Sequence, residues 1–202
     1  DLCGSPLITY AINTAKRCVK AENVYVNSDS EEMLSLGNEM GVSTYRRSKE
    51  LSSDDASGDM FTYDFINNVE VDTLIMISPV CPLVTEDDVS RAIAEYSHST
   101  CDTLISCEST QMQAFFEGQP ININETTQLE PTQNNTPISI LNWAVTIWDA
   151  KIFLKNYAQD GYAYLGKNRL LFPIEPLHGV KISNEADFVM VESIMRGSKL
   201  KD

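Results

Sequence analysis

Two stretches of this chain carry side chains of the types and spacing that could do chemistry. The first is Arg46-Arg47-Ser48-Lys49, which runs into the polar turn Ser52-Ser53-Asp54-Asp55-Ala56-Ser57. Adjacent guanidinium groups before hydroxyls could hold a phosphate bidentately or read the edge of a base. The same residues would equally suit a solvated loop. The second is Ser78-Pro79-Val80-Cys81-Pro82-Leu83, which ends the apolar run Val71–Ile77. Its prolines, Pro79 and Pro82, bar both ladder and helix, so the run stops in a rigid turn. Neither His98 nor His178 stands in a recognisable base–nucleophile constellation. The five cysteines, Cys3, Cys18, Cys81, Cys101 and Cys107, lack CxxC spacing. Free thiols in a reducing cytoplasm are expected, and a zinc site is not.

The elements that must position these residues follow from periodicity. Val71–Ile77 reads as a strand buried on both faces of a parallel sheet. Thr85 caps the helix after it, with Glu86, Asp87 and Asp88 in the first turn and Val89, Ala92, Ile93 and Tyr96 as its apolar face. Strand, stiff loop and helix make half a βαβ unit, and ligands of open α/β sheets sit at such strand ends. Upstream, Pro6 opens a helix carrying Leu7, Ile8, Ala11, Ile12, Ala15 and Val19. Asn23–Asn27 is a strand, and Ser28-Asp29-Ser30 caps a helix that ends at Gly41. Val42–Tyr45 is a strand, and Met60–Val69 a helix. Downstream, Thr103–Cys107 is a strand, and Ile138–Trp148 another. Asp149–Tyr157 is a helix, Arg169–Ile174 and Val180–Ile182 are strands, and Asn184 caps a final helix. The alternation predicts a doubly wound, mostly parallel twisted sheet with helices on both faces.

The chain has 202 residues, 29 acidic against 15 basic, for a net charge of −14. That argues against nucleic acid or an anionic membrane surface as partner, without excluding a phosphate in a locally positive pocket. No apolar run approaches the roughly 20 residues of a membrane span. One domain over 1–202 is expected. Within it, 111–137 is rich in Asn, Gln, Thr and Pro and reads as a protruding arm.

Six segments resemble the acylneuraminate cytidylyltransferase family, which activates sialic acids and related sugar acids with CTP. They are Gly4-Ser5-Pro6-Leu7-Ile8, Val24–Glu32, Arg47–Ser57, Ser78–Leu83, Thr132–Pro137 and Asn142–Trp148. The resemblance implies a Rossmann-like nucleotidyltransferase fold that transfers CMP from CTP to a sugar acid with release of pyrophosphate. It implies Asp29, Arg47, Ser53, Ser57, Ser78 and Pro79 as nucleotide-binding residues, and Gln133 and Asn142 as facing the acceptor. It also implies Mg²⁺ and a homodimer joined through the arm.

Three departures qualify that resemblance. The family's phosphate loop and first strand would lie before Asp1, so about 20 further residues are expected upstream, the number following from strand and loop lengths. Lys181-Ile182-Ser183 stands where the family has the Asp-Ile-Asp of its metal site. No metal ligand is assigned on this chain. The Lys-Ile-Ser run resembles instead a stretch of the methylerythritol phosphate cytidylyltransferases, in which a lysine contacts phosphate. Lys181 is therefore the candidate catalytic cation, or else a surface lysine beside a strand. Ser78, Val84 and Thr132 replace a Gln and two Arg. These losses point to an acceptor other than ordinary sialic acid, or to an impaired member serving as a nucleotide-binding or protein-interaction subunit.

Overall fold

Side-chain caps fix where all but the first of the helices begin. The computed structural model describes residues 1–198. It starts with α1 (Ile8–Cys18), β1 (Tyr25–Ser28), α2 (Glu31–Glu39), β2 (Ser43–Arg46) and α3 (Gly58–Asn68). β3 (Thr73–Ile77), α4 (Glu86–His98), β4 (Thr103–Thr110), β5 (Phe115–Phe116) and β6 (Gln119–Pro120) follow. β7 (Ile138–Asp149), α5 (Ala150–Asp160), β8 (Arg169–Pro173) and α6 (Glu185–Ser198) complete it. Ser30, Ser57 and Asp149 accept the backbone N–H of Met33, Met60 and Ile152, tying down the first turns of α2, α3 and α5. Thr85 and Asp88 form a reciprocal capping box on α4.

The strands fall into two larger hydrogen-bonded groups and one hairpin. β1 and β2 pair in parallel. The other group has the order β3-β7-β4-β8. Within it β7 runs antiparallel to both β3 and β4, while β4 and β8 are parallel. β3, β4 and β8 therefore share one direction and β7 alone is reversed. Successive residues of β7 show that helices cover both faces. Ile147 packs with Val89 and Ala92 of α4, whereas Trp148 packs with Ile66 of α3 and Phe153 of α5. A third apolar cluster joins Ile12 of α1, Val24, Val26 and Leu34.

Two strand expectations need correction. β3 is half-buried rather than enclosed, because β7 is its one ladder partner among the described residues. Val180–Ile182 is not a strand. Apart from a local turn bond from Val180 N–H to Leu177 C=O at 3.4 Å, its backbone bond is Ile182 N–H to Val80 C=O at 2.8 Å, which does not make a ladder.

The arm owes its order to amides. Asn122, buried, donates to the carbonyls of Met112 and Thr136 and accepts from Ala114 N–H. Gln111 donates to the carbonyls of Gln133 and Asn135, and Asn135 returns a bond to Gln111. Side-chain amides here supply the backbone partners that a sheet would otherwise provide.

Candidate functional site

β1 and β2 are parallel neighbours, so their carboxyl ends open on the same side. Asp29 follows the one and Arg47 the other, and Arg47 N–H bonds Ser28 C=O at 3.0 Å, extending the pairing by one residue. Together with Glu31, Arg46, Ser48 and Lys49 they line a cleft of about 550 Å³. The two arginines behave differently. Arg46 is exposed and forked onto the Glu31 carboxylate, an ion pair that holds Glu31 below the usual carboxylate range. Arg47 is half-buried, its guanidinium lying 5.1 Å from the centre of the Phe61 ring. Its Nε is buried with no hydrogen-bond partner. A buried donor left unmade costs free energy, so the Arg47 Nε–H has an unmet demand for an acceptor.

The second group sits at the end of β3. Ser78 N–H bonds Ala144 C=O at 2.9 Å, and Ser78 C=O accepts from Cys81 N–H at 3.1 Å, closing the rigid turn that presents Pro79 to solvent. Opposite it β7 bulges. Ile105 pairs with Thr146 but Cys107 with Leu141, so the stretch from Asn142 to Val145 faces Ser106 alone. The Ser106 hydroxyl fills the break, donating to Asn142 Oδ1 at 2.6 Å and accepting from Val145 N–H at 2.9 Å. Trp143, in the bulge, has φ of 56°, a left-handed backbone that costs a bulky side chain strain. Bulges of this kind gather beside functional sites, where they re-aim side chains. Asn142 Nδ2 is buried and unpartnered, and Gly179 comes so near it that any Cβ there would collide with the amide.

Lys181 reaches the same region. It is exposed, and its segment is tied to the turn by the Ile182–Val80 bond. Burial pushes the Cys81 thiol up, while a bond with Ser78 and the charge of Lys181 pull against that. An aromatic row spans from one group towards the other. Phe61, under Arg47, lies 6.5 Å from Tyr164, and Tyr164 lies 5.1 Å from Trp143. The half-buried Tyr164 hydroxyl is pushed up to about 12 by desolvation and by Asp59, so it stays protonated.

The structure thus brings Asp29 to Arg47, and Ser78, Pro79 and Asn142 towards Lys181. Ser53 and Ser57 are engaged locally. Ser53 donates to Glu50 C=O at 2.9 Å, and Ser57 caps α3. Gln133 is exposed on the arm, where its carbonyl serves Gln111. Phe61, Tyr164, Ser106 and the strained Trp143 were not foreseen. Phe61 lies inside the Met60–Val69 helix with no local mark that an arginine stacks on it, and nothing local marks a bulge between distant strands.

The segment aligned with a Mg²⁺ site fits that ion poorly. Lys181 brings positive charge, and Ser183 a single hydroxyl. The Asp187 Oδ2 already accepts the N–H groups of Ser183 and Asn184 at 2.8 and 3.2 Å, closing the start of α6. Mg²⁺ takes carboxylate, phosphate or water oxygens in near-octahedral array. Among the described residues, no group of three or more His, Cys, Asp or Glu is placed to hold a metal.

The family model described as cytidylyltransferase matches residues 1–167. The chain belongs to the cytidylyltransferase family. It is 22% identical over 202 residues to the post-translational flagellin modification protein B of Campylobacter coli, covering 96% of this chain and 86% of that protein. It is 23% identical over 206 residues to the CMP-N,N'-diacetyllegionaminic acid synthase of Legionella pneumophila, covering 96% and 87%. It is also 23% identical over 175 residues to the N-acylneuraminate cytidylyltransferase of Streptococcus agalactiae, covering 81% of this chain but 42% of that protein. Among solved structures, a CMP:2-keto-3-deoxy-manno-octonic acid synthetase complexed with CTP matches with a TM-score of 0.72 at 16% identity, over 98% of this chain and 90% of the other. These relatives support an acylneuraminate-cytidylyltransferase-like member with the family's α/β fold. No helix among the described residues is long and apolar enough to cross a membrane.

Proposed function

We propose that this cytidylyltransferase transfers CMP from CTP to a small sugar acid. The observation that carries the reading is Arg47, a cation stacked on Phe61 with a buried, unpartnered Nε, set beside Asp29 at the ends of two parallel strands. That is the chemistry of a base edge or phosphate reader. An acceptor oxygen attacks the α-phosphorus of CTP; the new O–P bond forms as the bond to pyrophosphate breaks and pyrophosphate leaves. Such a step asks for positioning and charge neutralisation more than covalent help.

In this reading Arg47 and Asp29 serve the nucleotide, with Ser53 and Ser57 shaping the turn beside them. Ser78 and Pro79 form the wall between nucleotide and acceptor. Asn142 offers its free Nδ2 to the acceptor, Gln133 reaches it from the arm, and Lys181 meets a phosphate. Mg²⁺, where used, accompanies the triphosphate and is not held by residues 181–187. The poor fit of that segment to a metal also supports a second reading, a nucleotide-binding member with little catalysis. Pyrophosphate release from CTP, screened over 2-keto sugar acids with the full-length protein, separates the two. Release with at least one acid supports transfer, and CTP binding without release supports the second reading.

We further propose a homodimer joined through the arm. Met112, Phe115, Phe116, Ile121 and Leu129 are all more than half exposed there, an apolar concentration suited to a second copy. Light scattering at micromolar concentration should give twice the chain mass; a monomer mass would refute the dimer. The five free thiols support a reducing, cytoplasmic setting.

A further inference from the structure

Lys181 lies in a stretch with no regular structure, between the end of β8 and the start of α6. A lysine stem is flexible, so it can serve one phosphate only if its backbone is fixed in place. Three contacts fix it. Ile182 N–H bonds Val80 C=O, and Gly179 abuts the Asn142 amide. The third involves a histidine with no sequence signal. His178 Nδ1 lies 2.8 Å from Asp88 Oδ2, although off the line of a good hydrogen bond. Asp88 is only 1% exposed, unlike an ordinary capping carboxylate on a helix surface. Its Oδ2 also takes Thr85 N–H at 3.0 Å and the Thr85 hydroxyl at 2.6 Å, and its Oδ1 takes the Arg91 guanidinium at 3.1 Å. The capping box alone would fasten α4. The His178 contact additionally ties α4 to the turn in which His178 N–H bonds Glu175 C=O at 2.9 Å. α4 itself begins just past the Ser78–Leu83 turn.

We propose that Asp88 and His178 form a clasp that positions Lys181 against the Ser78–Cys81 turn, making His178 a positioning residue for phosphate binding. The proposal rests on the reading of Lys181 as a phosphate contact. It predicts energetic coupling between two residues that need not touch. The test is calorimetric titration of the full-length protein with CTP, in the parent and in Lys181→Ala, His178→Ala and the double variant. A charge-assisted bond to phosphate is worth about tenfold or more in affinity, so each single variant should bind CTP at least about tenfold more weakly. The double variant should be no weaker than Lys181→Ala alone, a non-additivity that a merely structural role would not produce. If Lys181→Ala weakens binding and His178→Ala does not, or if the two losses add, the clasp is overturned and the Lys181 reading stands. If Lys181→Ala leaves affinity unchanged, the Lys181 reading falls and the clasp with it. Should His178→Ala not fold, His178→Gln removes the imidazole with less loss of packing and is read by the same outcomes.

Discussion

Replacing Arg47 by Ala separates a binding role from a structural one. In the free protein the guanidinium gives up little when removed. The contact with Phe61 is worth about 0.5–1 kcal/mol at a partly exposed site. Against it stands the buried, unpartnered Nε, and such a group costs about 1–3 kcal/mol while it lacks a partner. The two effects oppose, so Arg47→Ala should leave unfolding free energy within about 1 kcal/mol of the parent, or raise it. CTP binding should respond differently. Losing charge-assisted hydrogen bonds of about 1.5–3 kcal/mol weakens affinity by roughly ten- to over a hundredfold. Arg47→Lys should not restore it, because an ammonium lacks the planar fork and stacks less well on Phe61. Urea unfolding and calorimetric CTP titration on the same preparations give both numbers. A loss of more than about 2 kcal/mol in stability with CTP affinity unchanged would refute the reasoning and make Arg47 a structural residue.

Other expectations follow from single features. Burial pushes the Asp88 carboxyl up, but the Thr85 bonds, His178 and Arg91 outweigh it and hold the group below the usual range. Its folded value lies below its unfolded value of about 3.9, so its contribution is present above that pH and is lost as pH falls through the folded value. Asp88→Asn should therefore lower stability at neutral pH and flatten the acid limb of a urea-midpoint series; an unchanged acid limb would count against the shift. Gly166 has φ of 65°, and a Cβ there would run into Thr103 and Asp102 side chains. Gly166→Ala should cost about 2 kcal/mol or more in chemical unfolding, from strain plus collision; a neutral result would show that this turn can move. Asn122→Ala removes three bonds that fasten the arm. Amide exchange across residues 111–137 should accelerate while exchange in β4 stays slow, and uniform acceleration would contradict a locally stapled arm.

Local chemistry was legible where it is self-contained. Ser30, Thr85 and Asn184 could be read as caps because a short polar side chain three residues before a free N–H needs no distant partner. Arg47 could be singled out because two adjacent arginines precede a hydroxyl-rich turn, whereas Asp29 came from the resemblance to the acylneuraminate cytidylyltransferases. What depends on residues far apart was not legible. The reversal of β7 between β3 and β4 follows from long-range pairing, and an apolar run looks alike on an edge or in the middle. The Ser106 hydroxyl inserts into a break in another strand, 36 residues along the chain from Asn142. His178 and Asp88 are likewise joined only by the fold. Composition marks the Asn- and Gln-rich stretch as a polar excursion, yet composition cannot say which amides bond which carbonyls.

The measurement that tests the central claim most directly is calorimetric titration of the full-length protein with CTP, with ATP as control. Asp29, Arg47 and the aromatic row that begins at Phe61 are expected to favour a cytosine nucleotide, so CTP should bind saturably and ATP at least tenfold more weakly, a difference of about 1.4 kcal/mol. Equal binding of both nucleotides, or no binding of CTP, would contradict the account.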